Sequence, residues 1–306
     1  MKISVNEVLC TGCGACVEEC TANLFKLAEA PTGPDARGPD ARVTRQDPYG
    51  WCIGCGHCLA VCPKGAILWD TEVSLPEAEG IEHPEEICGF RTLLPFLQSK
   101  RSVRRYRAQA VPRRRIEEVL EAMRWAPSGH NFQPCRYLVI TDRTVLRRIS
   151  DYTIEGFKKF RLLVRMRKLL RPFLPANLYR LLGAHGLLEG VSDMIRRREE
   201  GQDPILFDAP AVIIVYVPDL GCLSLLDPAI AFTYGTLAAH SLGLGSCWIG
   251  FAIQSLYKSK SMRGLLGIPA DMIVAGVMIL GYPAPTYRRL PPRNTVPVRW
   301  LDGSPP

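Results

Sequence analysis

The chain has 306 residues, 47% hydrophobic and 22% charged, which is enough for two modest domains with buried cores and unlike a disordered or fibrous chain. The net charge of +8 conceals a split: residues 1–90 hold 6 Lys+Arg against 14 Asp+Glu, and residues 91–306 hold 32 against 16, so two domains of opposite charge are expected. The longest apolar runs, Ala209–Val217 and Met272–Leu280, fall far short of the ~20 residues of a membrane-spanning helix. The opening Met1-Lys2-Ile3-Ser4-Val5 has no secretory leader pattern, so a cytoplasmic location is expected.

Eight of the 12 cysteines lie before residue 63. One run holds Cys10, Cys13, Cys16 and Cys20; a second holds Cys52, Cys55, Cys58 and Cys62, followed by Pro63. Each member of the second run lies 42 residues after its counterpart, which marks an internal duplication. The spacing C-x2-C-x2-C-x3-C suits iron–sulfur ligation. Three thiolates at steps of three on a tight loop reach three corners of one cubane. Gly12, Gly14, Gly54 and Gly56 let the backbone curl around it. The fourth cysteine, past the start of a helix, points away to the other cluster. One cluster would take Cys10, Cys13, Cys16 and Cys62, the other Cys52, Cys55, Cys58 and Cys20. Zinc usually uses paired knuckles rather than runs of four, and disulfides need an oxidising compartment.

The segment resembles a two-cluster bacterial ferredoxin, and Gly65-Ala66-Ile67 after Cys62-Pro63 fits that family. Thr21 stands where the family usually has proline, and Pro31–Arg42 carries a tandem GPDAR read as a surface loop. Cys88, Cys135, Cys222 and Cys247 read as small buried hydrophobes. Residues 71–90, acidic with Pro76 and Pro84, read as a linker.

Beyond the linker, Ile116–Ala126 has helical apolar spacing, Tyr137–Thr141 and Ala211–Val217 read as strands, Leu225–Leu242 as a buried helix and Ile273–Leu280 as a buried strand. Four local features carry chemistry. Lys100-Arg101-Ser102-Val103-Arg104 alternates cations with a hydroxyl, as a phosphate site requires. Ala126-Pro127-Ser128-Gly129-His130-Asn131-Phe132-Gln133-Pro134 ends a helix in a turn, in which His130 is an ordinary turn residue. Gly243-Leu244-Gly245-Ser246-Cys247-Trp248-Ile249-Gly250 allows close backbone approach to a planar ligand. Gly281-Tyr282-Pro283 leads to Arg288 and Arg289.

In this order and spacing the four features resemble the nitroreductase family of FMN enzymes, from about Ser99 to Pro292. The resemblance implies an α+β chain: a two-cluster ferredoxin domain at 1–90, then a three-layer α/β/α sandwich with a mixed sheet at 91–306, interrupted by a basic helical insertion at about 143–206. It implies two [4Fe–4S] clusters and FMN. Lys100, Arg101, Ser102 and Arg104 would hold the phosphate and flavin edge. Pro127, Ser128, Gly129 and Asn131 would lie along the flavin and ribityl chain. Trp248, Ile249 and Gly250 would pack on the ring and offer a backbone N–H, and Arg288 and Arg289 would close on the phosphate. A homodimer with FMN at the subunit interface is implied. So is an oxidoreductase fed by a low-potential donor such as a ferredoxin and reducing a small nitro, quinone or activated C=C compound. The flavin carries the chemistry, so no catalytic side chain is singled out. An NAD(P)H-fed flavoprotein with the clusters as exit, or a relay without organic substrate, are the alternatives.

Residues 143–198 hold 14 Lys+Arg against 4 Asp+Glu. Lys158–Leu170 places Phe160, Leu163, Val164 and Leu169 on one helical face. A substrate lid, a docking face for the acidic half and a membrane-surface helix are the readings of this segment; lid and docking are favoured. No nucleic-acid-reading motif accompanies the charge, so no nucleic-acid partner is expected.

Overall fold

The computed structural model describes residues 2–27, 42–70, 81–257 and 259–301. The GPDAR repeat up to residue 41 and the linker residues 71–80, Pro76 included, lie outside the described residues. The chain divides into two compact units, residues 1–87 with 127–133, and residues 88–126 with 134–306.

The first unit is built twice over. Strand β1 (Lys2–Val5) leads to helix α1 (Ala15–Glu19) and strand β2 (Phe25–Leu27); strand β3 (Val43–Arg45) leads to helix α2 (His57–Ala60) and strand β4 (Ile67–Asp70). β1 pairs antiparallel with β4 and β2 with β3, so each ribbon joins the beginning of one repeat to the end of another. Both short helices are entered through a left-handed glycine, Gly14 at φ +79° and Gly56 at φ +77°, a conformation that a side chain disfavours. Ile3, Leu24, Phe25, Val43 and Ile67 form a small core with Cys16 and Cys58. A core of this size invites a stapling cofactor. A one-turn helix α3 (Pro84–Ile87) ends this part of the chain, so the end of the acidic linker is helical.

The second unit is a three-layer sandwich. Helices α4 (Phe90–Ser99) and α5 (Arg113–Arg124) precede strand β5 (Arg136–Ile140). Then come α6 (Arg143–Met166), α7 (Ala176–Leu182) and α8 (Leu187–Glu199). Strand β6 (Ala211–Pro218), helix α9 (Leu226–Ser241), strand β7 (Gly245–Trp248), helices α10 (Gly250–Leu256) and α11 (Lys260–Leu265) and strand β8 (Met272–Gly281) complete it.

The sheet order is β5-β6-β8-β7, and every strand pair is antiparallel. Among the described residues of this unit the parallel component of the expected mixed sheet is a single bridge, Ser102 to Ser246. β6 and β8 are apolar at successive positions because both faces are covered. Val212, Ile214, Val277 and Ile279 face α6 and α8 through Ile149, Ile154 and Ile195. Ala211, Ile213, Val215 and Met278 face α5 and α9 through Val119, Met123 and Phe232.

Helix α6 opens on Asp142, whose Oδ1 accepts from the Thr144 and Val145 N–H at 2.7 and 3.0 Å, capping two orphan donors. It buries Leu146, Ile149, Thr153, Ile154 and Phe157 along one stripe. The expected continuation to Leu170 fails: the helix stops at Met166 and Leu169 is exposed. Pro172 and Pro175 just beyond it disfavour further helix.

Candidate functional site

In the first unit the thiols expected as cluster ligands include near neighbours. Burial pushes the Cys16 thiol up to about 11, and the nearby thiols of Cys13, Cys62 and Cys10 add to it. Burial likewise raises Cys58, with Cys55, Cys20 and Cys52 as its thiol neighbours. Cys62 is thus among the thiol neighbours of Cys16, and Cys20 among those of Cys58. These shifts disfavour free thiolates, so deprotonation would have to be driven by iron itself. The Cys62 sulfur also accepts from the Ala66 N–H at 3.2 Å. The described cysteines are all free of disulfides. Cys247 is buried as expected; Cys135 is half-buried and Cys88 exposed, against expectation. The Cys222 side chain lies outside the described residues.

Pro127–Gln133 belongs to this same unit. It is a tight turn with His130, Asn131 and Gln133 at φ +52°, +51° and +48°. Ser128 Oγ accepts from the Gln133 N–H at 2.9 Å. Asn131 Nδ2 donates to the Gly54 carbonyl at 2.6 Å, inside the second cysteine loop. The amide expected along a flavin is thus engaged with that loop.

In the second unit a pocket of about 170 Å³ gathers Lys100, Arg101, His240, Gly243, Gly245 and Ser246, with Ser99 and Tyr287 at its wall. The bridge from Ser102 to Ser246 and the bond from Val103 N–H to the Ser246 carbonyl, 3.0 Å, hold the two segments together. Gly245 is required there: a Cβ would stand 2.7 Å from Val103 Cγ2.

The pocket is electropositive. Burial holds Lys100 below the ordinary lysine range, with Arg104 adding to it. Burial also lowers His240, and Lys100 and Arg101 lower it further. Ser99 Oγ and His240 Nε2 lie 2.7 Å apart. Ser246 is buried and its hydroxyl has no hydrogen-bond partner, an unusual cost for a buried group. An anion with acceptor oxygens would satisfy that hydroxyl and relieve the mutual repulsion of the cations. The phosphate of FMN fits this donor set.

Not every expected residue joins the pocket. Ser102 and Arg104 are exposed beside it. Trp248 ends β7, 39% exposed, with its ring edge-on to Phe232 at 4.8 Å. Of the three residues expected to offer a backbone N–H, Ile249 donates its own to the Val277 carbonyl at 2.9 Å. The free N–H groups come one residue later, in the first turn of α10 at Gly250. Arg288 and Arg289 are exposed on an extended arm and do not line the pocket. Ser99, His240 and Ser246 went unread in the sequence. The alternation of small residues before Trp248 was the available signal for Ser246. A larger cavity of about 690 Å³, walled by Val111, Ile116, Leu120 and Val139, holds none of the motif residues.

The nitroreductase family model matches residues 97–282, and a 4Fe-4S dicluster domain model matches residues 9–67. The chain belongs to the nitroreductase family, with a ferredoxin domain in front, and is an oxidoreductase. A 4-nitrobenzoate reductase from Nocardioides is 29% identical over 221 residues, 65% of this chain and 86% of its own length. An NADH dehydrogenase from Thermus thermophilus is 28% identical over 203 residues, 62% of this chain and 89% of its own. A nitroreductase from Desulfitobacterium hafniense, solved with bound FMN, shares the fold at TM-score 0.51 and 18% identity, covering 67% of this chain and 97% of that one. Among the described residues no helix is long and apolar enough to cross a membrane.

Proposed function

We propose that the chain is an iron–sulfur flavoenzyme: two [4Fe–4S] clusters pass electrons from a low-potential donor such as a ferredoxin to FMN, and a small organic acceptor is reduced. The observation that carries this reading is the cationic pocket of Lys100 and Arg101 around the unpartnered Ser246 hydroxyl, in a chain whose residues 9–67 match a 4Fe-4S dicluster domain. When bound, the clusters supply electrons singly and FMN pairs two of them for delivery as hydride to a nitro, quinone or activated C=C compound.

The chain's own residues bind and orient. Lys100, Arg101 and Ser246 hold the phosphate, with Ser102 and Arg104 at its margin. Trp248, Ile249 and Gly250 form the wall against the ring, and Gly250 opens α10 with an N–H to spare. Pro127, Ser128, Gly129 and Asn131 keep the assignment to the flavin and ribityl chain that the family resemblance implies. Arg288 and Arg289 close on the phosphate in a homodimer. A dimer is supported by apolar side chains left in the open: Phe90, Leu93 and Leu97 on α4, Leu226 and Ile230 on α9, and Val296 and Trp300 on the arm.

Anaerobic stopped-flow flavin bleaching tests the route. Dithionite or reduced ferredoxin should bleach the flavin rapidly, and Cys55→Ser should slow this while FMN stays bound. The Thermus relative's name favours a second reading, NADH as donor. Rapid bleaching by NADH, indifferent to Cys55→Ser, would establish that reading and overturn the first.

A further inference from the structure

Helices α6, α8 and α10 surround a cavity of about 620 Å³ in the second unit, within the range of small-molecule sites. Its wall is Phe157, Phe160, Leu187, Val191, Met194 and Phe251, with Gln254 and Ser255 as the polar groups. Residues 143–198 carry 14 Lys+Arg against 4 Asp+Glu, yet among the described residues no charged side chain lines the cavity. A charged ligand would enter without a counter-ion, so the chemistry selects a neutral one.

Two glycines argue that this volume is kept open. Gly156 lies inside α6 and Gly190 inside α8, where glycine weakens a helix relative to alanine. Neither has a positive φ. A Cβ at Gly190 would meet nothing within 4 Å, and one at Gly156 would meet only Ser255 Oγ at 3.8 Å. No close backbone approach demands either residue. What both missing side chains preserve is space.

The rings set the ligand's character. Phe157 and Phe251 meet edge to face at 5.1 Å and 87°. With Phe160 and the Met194 thioether they offer the contacts that favour another aromatic ring. Phe251 stands in the first turn of α10, directly after Trp248, Ile249 and Gly250.

We propose that this cavity binds an uncharged aromatic molecule, its ring among Phe157, Phe160, Phe251 and Met194 and a carbonyl or nitro oxygen on Gln254 or Ser255. That the molecule is the electron acceptor rests on the proposed function; the binding does not.

The test uses the full chain, purified anaerobically and left oxidised, with no electron donor. Equilibrium dialysis measures two probes of like ring size, neutral 2-methyl-1,4-naphthoquinone and anionic 1,4-naphthoquinone-2-sulfonate. The neutral probe should bind at least about tenfold more tightly, and Gly190→Leu or Gly156→Leu, by filling the space, should weaken it by about tenfold or more. FMN content and melting temperature, read in parallel, should hold in Gly190→Leu, and Gly190→Ala should keep binding while raising the melting temperature. Equal binding of the two probes, or no effect of either leucine, would overturn the proposal. So would probe binding that appears only on dilution to monomer, since a second copy would then fill the cavity. A chain that binds the neutral probe but no FMN would leave the cavity standing and sink the flavoenzyme reading instead.

Discussion

At the level of single residues, Ser246 separates a binding role from a structural one. A buried hydroxyl without a partner costs about 1–3 kcal/mol. Ser246→Ala should therefore raise the melting temperature of the FMN-free protein while weakening FMN. The opposite signs are the expected outcome, read by thermal melts and by flavin fluorescence titration. Arg101→Ala removes a charge-assisted contact to phosphate worth ~1.5–3 kcal/mol, or roughly 10- to 150-fold in affinity; an unchanged titration would remove the pocket's assignment. His240 carries a pH signature. Its folded-state value is lowered by burial and by Lys100 and Arg101, so the unfolded chain takes up the proton first. Stability of the FMN-free protein should accordingly fall as pH drops through about 6.5, the ordinary histidine value, and His240→Gln should flatten that slope in urea melts. The ferredoxin domain was legible in the sequence because the cysteine spacing repeats regularly at short range. Ser246 and His240 were not, because residues 99–103 and 240–246 come together only through β7 and the bridge from Ser102.

Among the elements, β8 controls how β7 presents Trp248. A Cβ at Gly276 would stand 1.8 Å from Phe232 Cε2, so α9 can seat that ring only against a bare backbone. Trp248 leans on the same ring. Gly276→Ala should destabilise the protein by at least ~1–3 kcal/mol, as overpacking does, and disturb the flavin's visible circular dichroism. Adding Phe232→Leu should recover part of the stability but not the dichroism, because the shelf under Trp248 is then gone; additive stability losses in the double variant would refute this coupling. Helices α5 and α9 and strands β5, β6 and β8 all lie where the apolar periodicity puts them, within a few residues. The insertion was less legible. Its basic, amphipathic pattern runs past the end of α6 to Leu169, because periodicity reports a face and is blind to a turn imposed by Pro172 and Pro175. The two-sided burial of β6 and β8 follows from unbroken apolar runs, whereas the antiparallel order β5-β6-β8-β7 depends on connections that the runs do not encode.

For the molecule as a whole, the ferredoxin domain should carry about eight iron and eight sulfide per chain when prepared without oxygen. Zinc, or about four irons, would refute the two-cluster reading. The crossed grouping adds a sharper expectation. Cys62→Ser should spoil the cluster of the first cysteine run and Cys20→Ser that of the second, each leaving the other's electron paramagnetic resonance signal in place. Sedimentation should return twice the chain mass, and deleting residues 284–306 should shift it toward one, since the arm's apolar side chains Val296, Trp300 and Leu301 are exposed.

The crossing also bears on how the domain is made and lost. Under this pairing the first cluster lacks its last ligand until residue 62 has left the ribosome, and the second lacks one without residue 20. On that pairing neither repeat would mature alone, and iron loading would wait for both halves of the duplication. The same interlock would make the loss of either cluster felt by both repeats: stripping iron from one site would free three thiols of one repeat and one of the other and loosen the seam between them. A half-loaded molecule should therefore be marked by a loosened seam rather than by the loss of its second cluster.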